Sequence, residues 1–290
     1  MAKNTYIHRV EAFLKHHLTA WNTTGEGIHS PYLFELVRFI LRDENAFYCF
    51  SDIERRRDYL LRCEDEIEVL DFGSQGSPEG KRITRRVSDI AKTHLESPKV
   101  AQVLFRLINW LGQHENRPLQ IIELGTSLGV TTSYLASPDS RNMVTTFEGS
   151  GAVLRIAKGV WRALKIENIS WQEGPLDDTL YKYVRAHEAD KSQTIPRQET
   201  RQPASQWLDV AYLDANHTYE ATMRYASLLL PLLPEKGVMI LDDIHYSEEM
   251  ERAWNELKSD PRVTTSMDLY HVGLIFVDPH YLKRHYKIRI

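Results

Sequence analysis

Cysteine is scarce in this sequence: only Cys49 and Cys63 occur, and neither has a CxxC neighbour. Two thiols cannot form a disulfide framework, so we expect both to stay reduced. The amino-terminal segment lacks the apolar run of a signal peptide. The apolar stretch at 228–233 is interrupted by Pro231 and is too short to cross a membrane. These absences predict a soluble cytoplasmic protein without a membrane partner.

A surplus of charge of one sign is also missing. The 36 lysines and arginines nearly balance the 40 aspartates and glutamates, which leaves a formal net charge of −4 over 290 residues. A dedicated nucleic-acid-binding protein is usually strongly basic, so we exclude a nucleic-acid partner. Hydrophobic residues make up 42% of the chain and charged residues 26%, which excludes wholesale disorder. The oligomeric state stays open, with a homodimer as one alternative.

Apolar residues recur at helical spacing in the amino-terminal part of the chain. Leu33 and Val37 share one face of such a helix. Ser30, which stands directly before a proline, fits an N-cap followed by proline at the first helical position. The pattern predicts a helical extension over residues 1–96 and a separate core over residues 97–290.

The core has a different pattern. From about residue 119, helical stretches alternate with apolar runs of strand length, which are LQIIEL, NMVTTFE, NISWQE, WLDVAYLD and GVMILDD. Regular alternation of strands and helices predicts an α/β fold with a mostly parallel sheet covered on both faces. The last two runs, TTSMDLY and HVGLIFV, are joined by a short connection and predict an antiparallel hairpin. Residues 187–206 are polar with two prolines, and we expect an exposed, mobile loop there.

Two glycine-containing turns are candidate ligand sites. The turn in IIELGTSLGVTTSYLA, at 121–136, is favoured because Glu148 stands at the end of the next strand, 25 residues after Glu123. An acid about 20 residues beyond such a turn can bind both hydroxyls of a ribose. The turn in VLDFGSQGS, at 69–77, has no such successor. For that segment we favour a structural hairpin or turn, with a flap over the active site as the alternative.

The glycine spacing at 121–136 selects the type of ligand. Gly125 and Gly129 are separated by three residues, so the sequence lacks the middle glycine of the dinucleotide fingerprint G-x-G-x-x-G. A Walker loop is absent too, because Gly80-Lys81 is followed by Arg82. A nucleoside without phosphates fits this turn better, and S-adenosylmethionine is the candidate cofactor.

With these motifs, residues 97–278 resemble the class I S-adenosylmethionine-dependent methyltransferases. The resemblance implies a Rossmann-like sheet of seven strands in the order 3-2-1-4-5-7-6, with the last strand antiparallel. The chain departs from the family in its long helical amino-terminal region, which we expect to cap the acceptor side. It places the turn after Glu123 around the methionine part of the cofactor, Glu148 at the ribose and Gly174 near the adenine. The implied cofactor-binding residues are Glu123, Gly125, Thr126, Ser127, Gly129, Glu148, Gly149, Gly174 and Asp214.

Acidic residues end two further strands. Asp214 follows the fourth strand, and Asp242 and Asp243 follow the fifth. Since ligands of open α/β sheets bind at the carboxyl ends of the strands, we expect the three carboxylates to converge beside the cofactor. Such oxygen ligands suit Mg²⁺, with Ca²⁺ or Mn²⁺ as alternatives. A polar lining without a metal is the competing interpretation, in which Asp214 contacts the amino group of the cofactor.

His217 stands three residues after Asp214, so it also lies at a strand end. This position favours a general base, although a lone histidine is more often a structural or surface residue. His245 is the second candidate for the base. Tyr219 and Tyr246 are candidates for lining an acceptor pocket, with packing as the alternative.

The pattern D-x-x-H-x-Y…D-D resembles the metal-dependent O-methyltransferases that act on sugars and other hydroxylated small molecules. That resemblance implies Asp214, Asp242 and Asp243 as metal ligands and His217 as the base. It implies methyl transfer to a hydroxyl group of a small-molecule acceptor. The alternatives are an N-methyltransferase, a nicotinamide-dependent oxidoreductase and a non-catalytic regulator that binds the cofactor. The first lacks the usual D/N-P-P-Y/F motif, and the glycine spacing argues against the second.

Overall fold

The computed structural model describes residues 2–71, 81–194 and 206–290. Its α-helices are α1 (Ala2–Thr19), α2 (Pro31–Glu35), α3 (Phe50–Arg62), α4 (Val87–His94), α5 (Pro98–Glu115), α6 (Val130–Ala136), α7 (Gly151–Leu164), α8 (Leu176–Thr194), α9 (Tyr219–Leu229) and α10 (Glu248–Ser259). Its strands are β1 (Glu66–Asp71), β2 (Lys81–Arg86), β3 (Gln120–Leu124), β4 (Met143–Glu148), β5 (Ile169–Glu173), β6 (Val210–Leu213), β7 (Val238–Asp242), β8 (Thr265–Asp268), β9 (Val272–Phe276) and β10 (Arg284–Lys287).

Several helices begin where the sequence supplies a hydroxyl N-cap. The side chains of Ser30, Ser97, Thr218 and Ser247 each accept a hydrogen bond from the backbone N–H three residues further on. Each cap satisfies one N–H group that the helix itself leaves unpaired. Proline follows the first two of these caps, as predicted for the helix after Ser30.

The central sheet has the strand order β10-β8-β9-β7-β6-β3-β4-β5. Strand β9 is antiparallel to both β7 and β8, as predicted, whereas β3 and β4, β4 and β5, and β6 and β7 pair in parallel. From β5 to β8 the order is the one expected for seven strands, and the α/β Rossmann-like class is confirmed. The predicted strand count is short by one, because β10 adds a parallel edge strand beside β8.

The chain divides into two compact units, one made of residues 44–204 and the other of residues 1–43 with 205–290. The boundary that we predict after residue 96 is untested and stays a prediction. In the described chain, no helix is both long enough and apolar enough to span a membrane.

The unit of residues 44–204 contains β3, β4 and β5 with helices α3 to α8. Its core is formed by the apolar face of α5 and by β3 and β4, with Leu104, Leu107, Ile121, Ile122 and Val144 among the fully buried side chains. The β1–β2 hairpin also belongs to this unit, so the amino-terminal extension is not purely helical. The hairpin agrees with the structural interpretation of 69–77, although residues 72–80 lie outside the described chain.

The unit of residues 1–43 and 205–290 contains β6 to β10 with α1, α2, α9 and α10. Strands β7 and β9 are buried along their whole length. Gly273 of β9 lies under the Trp254 ring, and a Cβ atom there would come within 2.6 Å of that ring. The glycine therefore allows α10 to pack closely on the sheet.

One prediction from polar composition is wrong for the residues that the structure describes. Residues 187–194 continue helix α8, so the polar segment predicted as a loop begins as a helix, and its remainder at 195–205 lies outside the described residues. The carboxyl-terminal segment forms the edge strand β10, which the sequence did not predict. Strand β10 is attached to the sheet by its pairing with β8 and by the burial of Tyr286 and Ile288.

Candidate functional site

A left-handed turn joins β3 to α6. Gly125 has a φ of +97°, Ser127 of +48° and Gly129 of +76°. The turn closes with a hydrogen bond of 3.0 Å from the Gly129 N–H to the Thr126 carbonyl. A Cβ atom at position 129 would lie 2.7 Å from Nε1 of Trp161. Glycine is therefore required at 129 by both the backbone conformation and the space available.

The neighbouring strand β4 holds this turn in place. The Phe147 carbonyl accepts hydrogen bonds of 3.1 Å from the N–H groups of both Gly125 and Thr126. The hydroxyls of Thr126 and Thr146 are 2.6 Å apart. The turn is thus attached to β4 by backbone and side chain, which presents a rigid surface to a ligand.

Glu123 is buried beneath the turn with no exposed surface. Its Oε2 atom accepts hydrogen bonds of 2.6 Å from the hydroxyls of Thr132 and Thr146. The carboxylate therefore ties α6 to β4 from inside the fold. Its predicted contact with a cofactor stays a prediction.

Glu148 ends β4 and is half-buried. Its carboxylate accepts hydrogen bonds from the N–H groups of Ser127 at 3.0 Å and Ser150 at 2.9 Å. Burial raises the pKa of the Glu148 carboxyl to about 7, against the opposing effect of the backbone hydrogen bonds from Ser150, Ser127 and Gly149. These three N–H donors leave the carboxylate a further lone pair for a ligand hydroxyl.

Two further predicted cofactor residues, Gly149 and Gly174, lie beside Glu148. Gly149 follows it directly and is half-buried, and Gly174 has a φ of +128°. The Gly174 N–H donates to the Glu148 carbonyl at 3.0 Å, which connects the ends of β4 and β5. Within this unit the structure therefore brings Glu148, Gly149 and Gly174 together, as the sequence predicts.

Ser127 supplies the test of fit for a nucleoside cofactor. Its Oγ atom is buried and has no hydrogen-bond partner within the part of the chain that the structure describes. A buried hydroxyl without a partner is costly unless a ligand or water satisfies it. Together with the lone pairs of Glu148 and the left-handed turn, it fits a ligand that carries both hydroxyls and polar groups, as S-adenosylmethionine does.

The other unit contains a cluster of His217 and acidic residues. His217 Nε2 lies 3.3 Å from Asp214 Oδ1, just beyond β6, and His217 Nδ1 lies 3.8 Å from Asp243 Oδ2, just beyond β7. Asp243 has a φ of +53°, an uncommon value for a residue other than glycine. The Tyr246 ring lies 5.9 Å from the His217 ring, centroid to centroid. The structure thus unites three of the residues predicted for catalysis and metal binding.

Charge in this cluster is shared between the imidazole and the carboxylates. Burial lowers the pKa of His217, but the Asp214 hydrogen bond and the charges of Asp214 and Asp243 together raise it above its ordinary value. Burial and the Asp214 charge raise the pKa of Asp243, although His217 opposes the shift. The imidazole therefore sits between two carboxylates whose mutual repulsion it relieves.

Two of the three predicted metal ligands, Asp214 and Asp243, lie close to His217. Asp242 is buried at the end of β7. Among the described residues, the group that brings three potential ligand atoms within 4.8 Å of one another is Glu235, Asp278 and His280. Carboxylate oxygens at 214, 242 and 243 still have the chemistry that Mg²⁺ prefers. The metal site therefore stays a prediction.

His245 is not available as a base in this structure. Its Nε2 lies 3.0 Å from Asp268 Oδ2, and its Nδ1 lies 2.8 Å from Glu251 Oε1. Burial lowers the pKa of His245, but these two carboxylates raise it to about 9. With both ring nitrogens occupied, His245 holds α10 and β8 together.

Sequence reasoning missed the contribution of α1. Arg9 of this helix places its guanidinium carbon 5.4 Å from the centroid of the Tyr246 ring. No local motif marks Arg9, because the contact depends on how the amino-terminal helix packs within its unit.

Comparisons with known proteins agree with this description. Residues 122–244 match the family model described as a methyltransferase domain. No curated protein is similar enough in sequence to be counted as a relative.

Three solved structures share the fold. An O-methyltransferase from Bacillus cereus in complex with SAH is 16% identical, with a TM-score of 0.51, and the match covers 80% of this chain and 92% of that one. Cofactor-bound Rv0187 from MTB is 14% identical, with a TM-score of 0.53 and coverages of 80% and 91%. The O-methyltransferase TomG from Streptomyces achromogenes in complex with SAM is 13% identical, with a TM-score of 0.50 and the same coverages. The predicted resemblance to class I S-adenosylmethionine-dependent methyltransferases is confirmed.

Proposed function

We propose that this chain, of which residues 122–244 match the model of a methyltransferase domain, transfers the methyl group of S-adenosylmethionine to a hydroxyl of a small molecule with the help of a divalent cation. S-adenosylmethionine supplies an electrophilic methyl group on a sulfonium centre. The hydroxyl oxygen forms a bond to the methyl carbon, the carbon–sulfur bond breaks with its electron pair on sulfur, and the hydroxyl proton goes to a base. The products are S-adenosylhomocysteine and a methyl ether.

The geometry of His217 carries the proposal. At 3.3 Å from Asp214, Nε2 is the ring nitrogen that donates its proton to a carboxylate, whereas Nδ1 at 3.8 Å from Asp243 lies beyond hydrogen-bond distance. In the neutral imidazole this leaves the Nδ1 lone pair free to accept a proton from an acceptor hydroxyl. Asp214 then stabilises the imidazolium, so we assign it the role of positioning the base.

Residues of the unit 44–204 are assigned to the cofactor. Glu148 would accept hydrogen bonds from the ribose hydroxyls, and Ser127 Oγ would meet a polar group of the cofactor. Gly125, Thr126 and Gly129 shape the turn that approaches the cofactor, and Glu123 holds that turn from below. These residues are thus proposed to bind S-adenosylmethionine, whereas the His217 cluster of the other unit is proposed to act on the acceptor hydroxyl.

Asp214, Asp242 and Asp243 would hold the cation, with Mg²⁺ favoured and Ca²⁺ or Mn²⁺ as alternatives. A bound divalent cation lowers the pKa of an oxygen that it contacts. That chemistry suits an aliphatic or sugar hydroxyl, because such a hydroxyl is a weak nucleophile at neutral pH. The carboxylates of Asp214 and Asp243 lie on either side of His217. They would supply negative charge that attracts the cation.

A methyl-transfer assay tests the proposal. The full chain is incubated with S-adenosylmethionine and with panels of hydroxyl and amine acceptors, with and without EDTA. We expect methyl ethers, loss of activity in EDTA with recovery on adding Mg²⁺, and a slower chemical step in His217→Ala. The control is His29→Ala, which alters an exposed histidine outside the cluster.

Each other outcome removes a defined part of the proposal. Full activity in EDTA would remove the cation, and methylation of amines alone would show an N-methyltransferase. Cofactor binding without turnover of any acceptor would indicate a regulatory protein.

A further inference from the structure

Helix α1 is fixed to its unit by three contacts, which makes it a permanent neighbour of the His217 cluster. His16, only 2% exposed, places Nε2 3.2 Å from Asp268 Oδ1. The Tyr270 hydroxyl donates to the Arg9 carbonyl at 2.9 Å. His8 Nε2 lies 3.9 Å from Glu251 Oε2. The backbone that carries Arg9 is therefore held at Arg9 itself and by contacts on both sides of it.

The Arg9 side chain extends from this fixed backbone toward the cluster. Its guanidinium stands over the Tyr246 ring at 5.4 Å, and the His217 ring is a second neighbour of Tyr246 at 5.9 Å. Its charge acts on Asp243 and on His271. One small molecule that lies along Tyr246 can therefore reach both Arg9 and the nitrogen proposed as the base.

The guanidinium has unused binding capacity. Arg9 is exposed, and no hydrogen bond or ion pair to its guanidinium is found among the side chains that the structure describes, those of residues 7–70, 81–188 and 206–290. A guanidinium carries five N–H donors in a planar fork that matches the oxygens of a carboxylate or phosphate. Stacking on an aromatic ring, as on Tyr246, leaves the edge of that fork free to make such a pair.

We propose that the Arg9 guanidinium binds an acidic group of the methyl acceptor, so that the acceptor is a hydroxylated molecule that also carries a carboxylate or a phosphate. This inference rests on the proposed function, because it concerns the acceptor of that reaction. Arg9 acts here in binding and specificity: it holds the acidic end while the hydroxyl lies near His217. A neutral hydroxylated molecule would lack this contact and bind more weakly.

Matched acceptor pairs test the inference in the full chain. Dihydroxybenzoate is compared with its uncharged amide, dihydroxybenzamide, and glucose phosphate is compared with glucose. In Arg9→Ala we expect KM for the acid of at least one pair to rise about tenfold, which corresponds to about 1.4 kcal/mol. The kcat for that acid should change little, and KM for the neutral member of the pair should not change. Arg9→Lys keeps the positive charge but not the planar fork of N–H donors, so KM for the acid should rise less than in Arg9→Ala. The pair that responds identifies the acid as carboxylate or phosphate.

Arg252→Ala is the matched control. Arg252 is also an exposed arginine stacked on a tyrosine, 3.9 Å from the centroid of the Tyr219 ring, on α10 of the same unit. The Arg252→Ala substitution should leave KM unchanged for both members of each acceptor pair. Equal effects of Arg9→Ala on the acid and neutral members of a pair, or an equal effect of Arg252→Ala, would overturn the inference.

A binding measurement separates this inference from the proposed function. Benzoate and inorganic phosphate are titrated into the full chain while the guanidinium Nε–H signals are followed by NMR. A shift of the Arg9 signal with either anion, absent in Arg9→Ala, supports the inference even if no acceptor is methylated. Failure of both anions to move that signal would overturn it, whatever the result of the methyl-transfer assay.

Discussion

His16 and Asp268 stand 252 residues apart in the sequence, yet the His16 ring approaches both the backbone carbonyl of Asp268, at 3.1 Å, and its carboxylate, at 3.2 Å. Both residues are buried. His245 contacts the other carboxylate oxygen at 3.0 Å and is itself bonded to Glu251. This histidine–carboxylate network, made of His16, Asp268, His245 and Glu251, joins α1, β8 and α10 within one unit of the chain.

Removing His16 should destabilise the fold. Deleting one partner of a buried hydrogen-bonded pair leaves the other partner unsatisfied, which typically costs about 1–3 kcal/mol. For His16→Ala we expect about 2 kcal/mol, because the buried Asp268 loses one contact while His245 still pairs with it. Denaturant unfolding of both variants provides the measurement, with His17→Ala as the control at an exposed position of the same helix. Equal stability of the two variants would contradict a role for the network.

The network should also make stability depend on alkaline pH. The pKa of His245 rises from an ordinary value of about 6.5 to about 9 in the fold, where burial opposes the shift and Asp268 and Glu251 drive it. The protonated form is therefore favoured by folding. Its stabilisation is complete below about pH 6.5 and is lost as the pH rises through about 9.

Integrated over that interval, the shift corresponds to about 3 kcal/mol. Unfolding free energies measured between about pH 6 and pH 10 should fall over this range, and His245→Gln should flatten the decline. A wild-type profile that is already flat over this interval would refute the assignment.

Local motifs account for the parts of the site that could be predicted from sequence. Gly125, Gly129 and Glu148 lie within one strand–turn–helix–strand unit, so their spacing alone indicates how they come together. Asp214 and Asp243 could be predicted because each ends an apolar run, and parallel strands place such ends on one edge of a sheet.

The features that could not be predicted from the sequence depend on contacts between residues that are distant in the chain. His245 is a candidate base on its sequence position alone, and only the location of its partners Glu251 and Asp268 on α10 and β8 excludes it. The tail that forms β10 has only two buried apolar side chains among charged neighbours, so its periodicity is weak. In the segment predicted as a loop, polar composition concealed the last turns of α8, because a polar stretch shows no apolar periodicity that would mark a helix.

The turn at Gly129 should not tolerate a side chain. In Gly129→Ala the new Cβ would meet Trp161 Nε1 at 2.7 Å and Ala157 Cβ at 2.8 Å, with a φ of +76°. The left-handed conformation alone costs an alanine roughly 1–2 kcal/mol, and the crowding adds to it. We expect a clear loss of stability and of S-adenosylmethionine affinity, measured by unfolding and by calorimetry.

Gly159→Ala provides the matched control for Gly129→Ala. Gly159 lies in α7, and nothing in the described chain stands within 4 Å of the position of its added Cβ. Alanine should stabilise that helix by up to about 1 kcal/mol, because glycine is the poorer helix former. If both substitutions behaved alike, the fit of the turn against Trp161 would not matter for the site.

Cofactor affinity should depend on pH through Glu148. Burial raises the pKa of this carboxyl to about 7, and the ionised form is the stronger acceptor for the ribose hydroxyls because neither of its oxygens carries a proton. S-adenosylmethionine should therefore bind most tightly above about pH 7 and progressively more weakly as the pH falls below it. Since hydrogen bonds to a charged group contribute about 1.5–3 kcal/mol each, the loss between about pH 8 and pH 5.5 should reach roughly tenfold in Kd.

Calorimetric titration of S-adenosylhomocysteine across this range tests the assignment without turnover. In Glu148→Gln the residue keeps its shape but cannot ionise, so affinity should be low and nearly independent of pH. The control is Glu173→Gln, at the end of the neighbouring strand β5, which should keep the wild-type pH profile because its carboxylate is not the one bonded to the Ser127 N–H. A pH dependence that survives in Glu148→Gln would assign the titrating group elsewhere and remove Glu148 from the ribose.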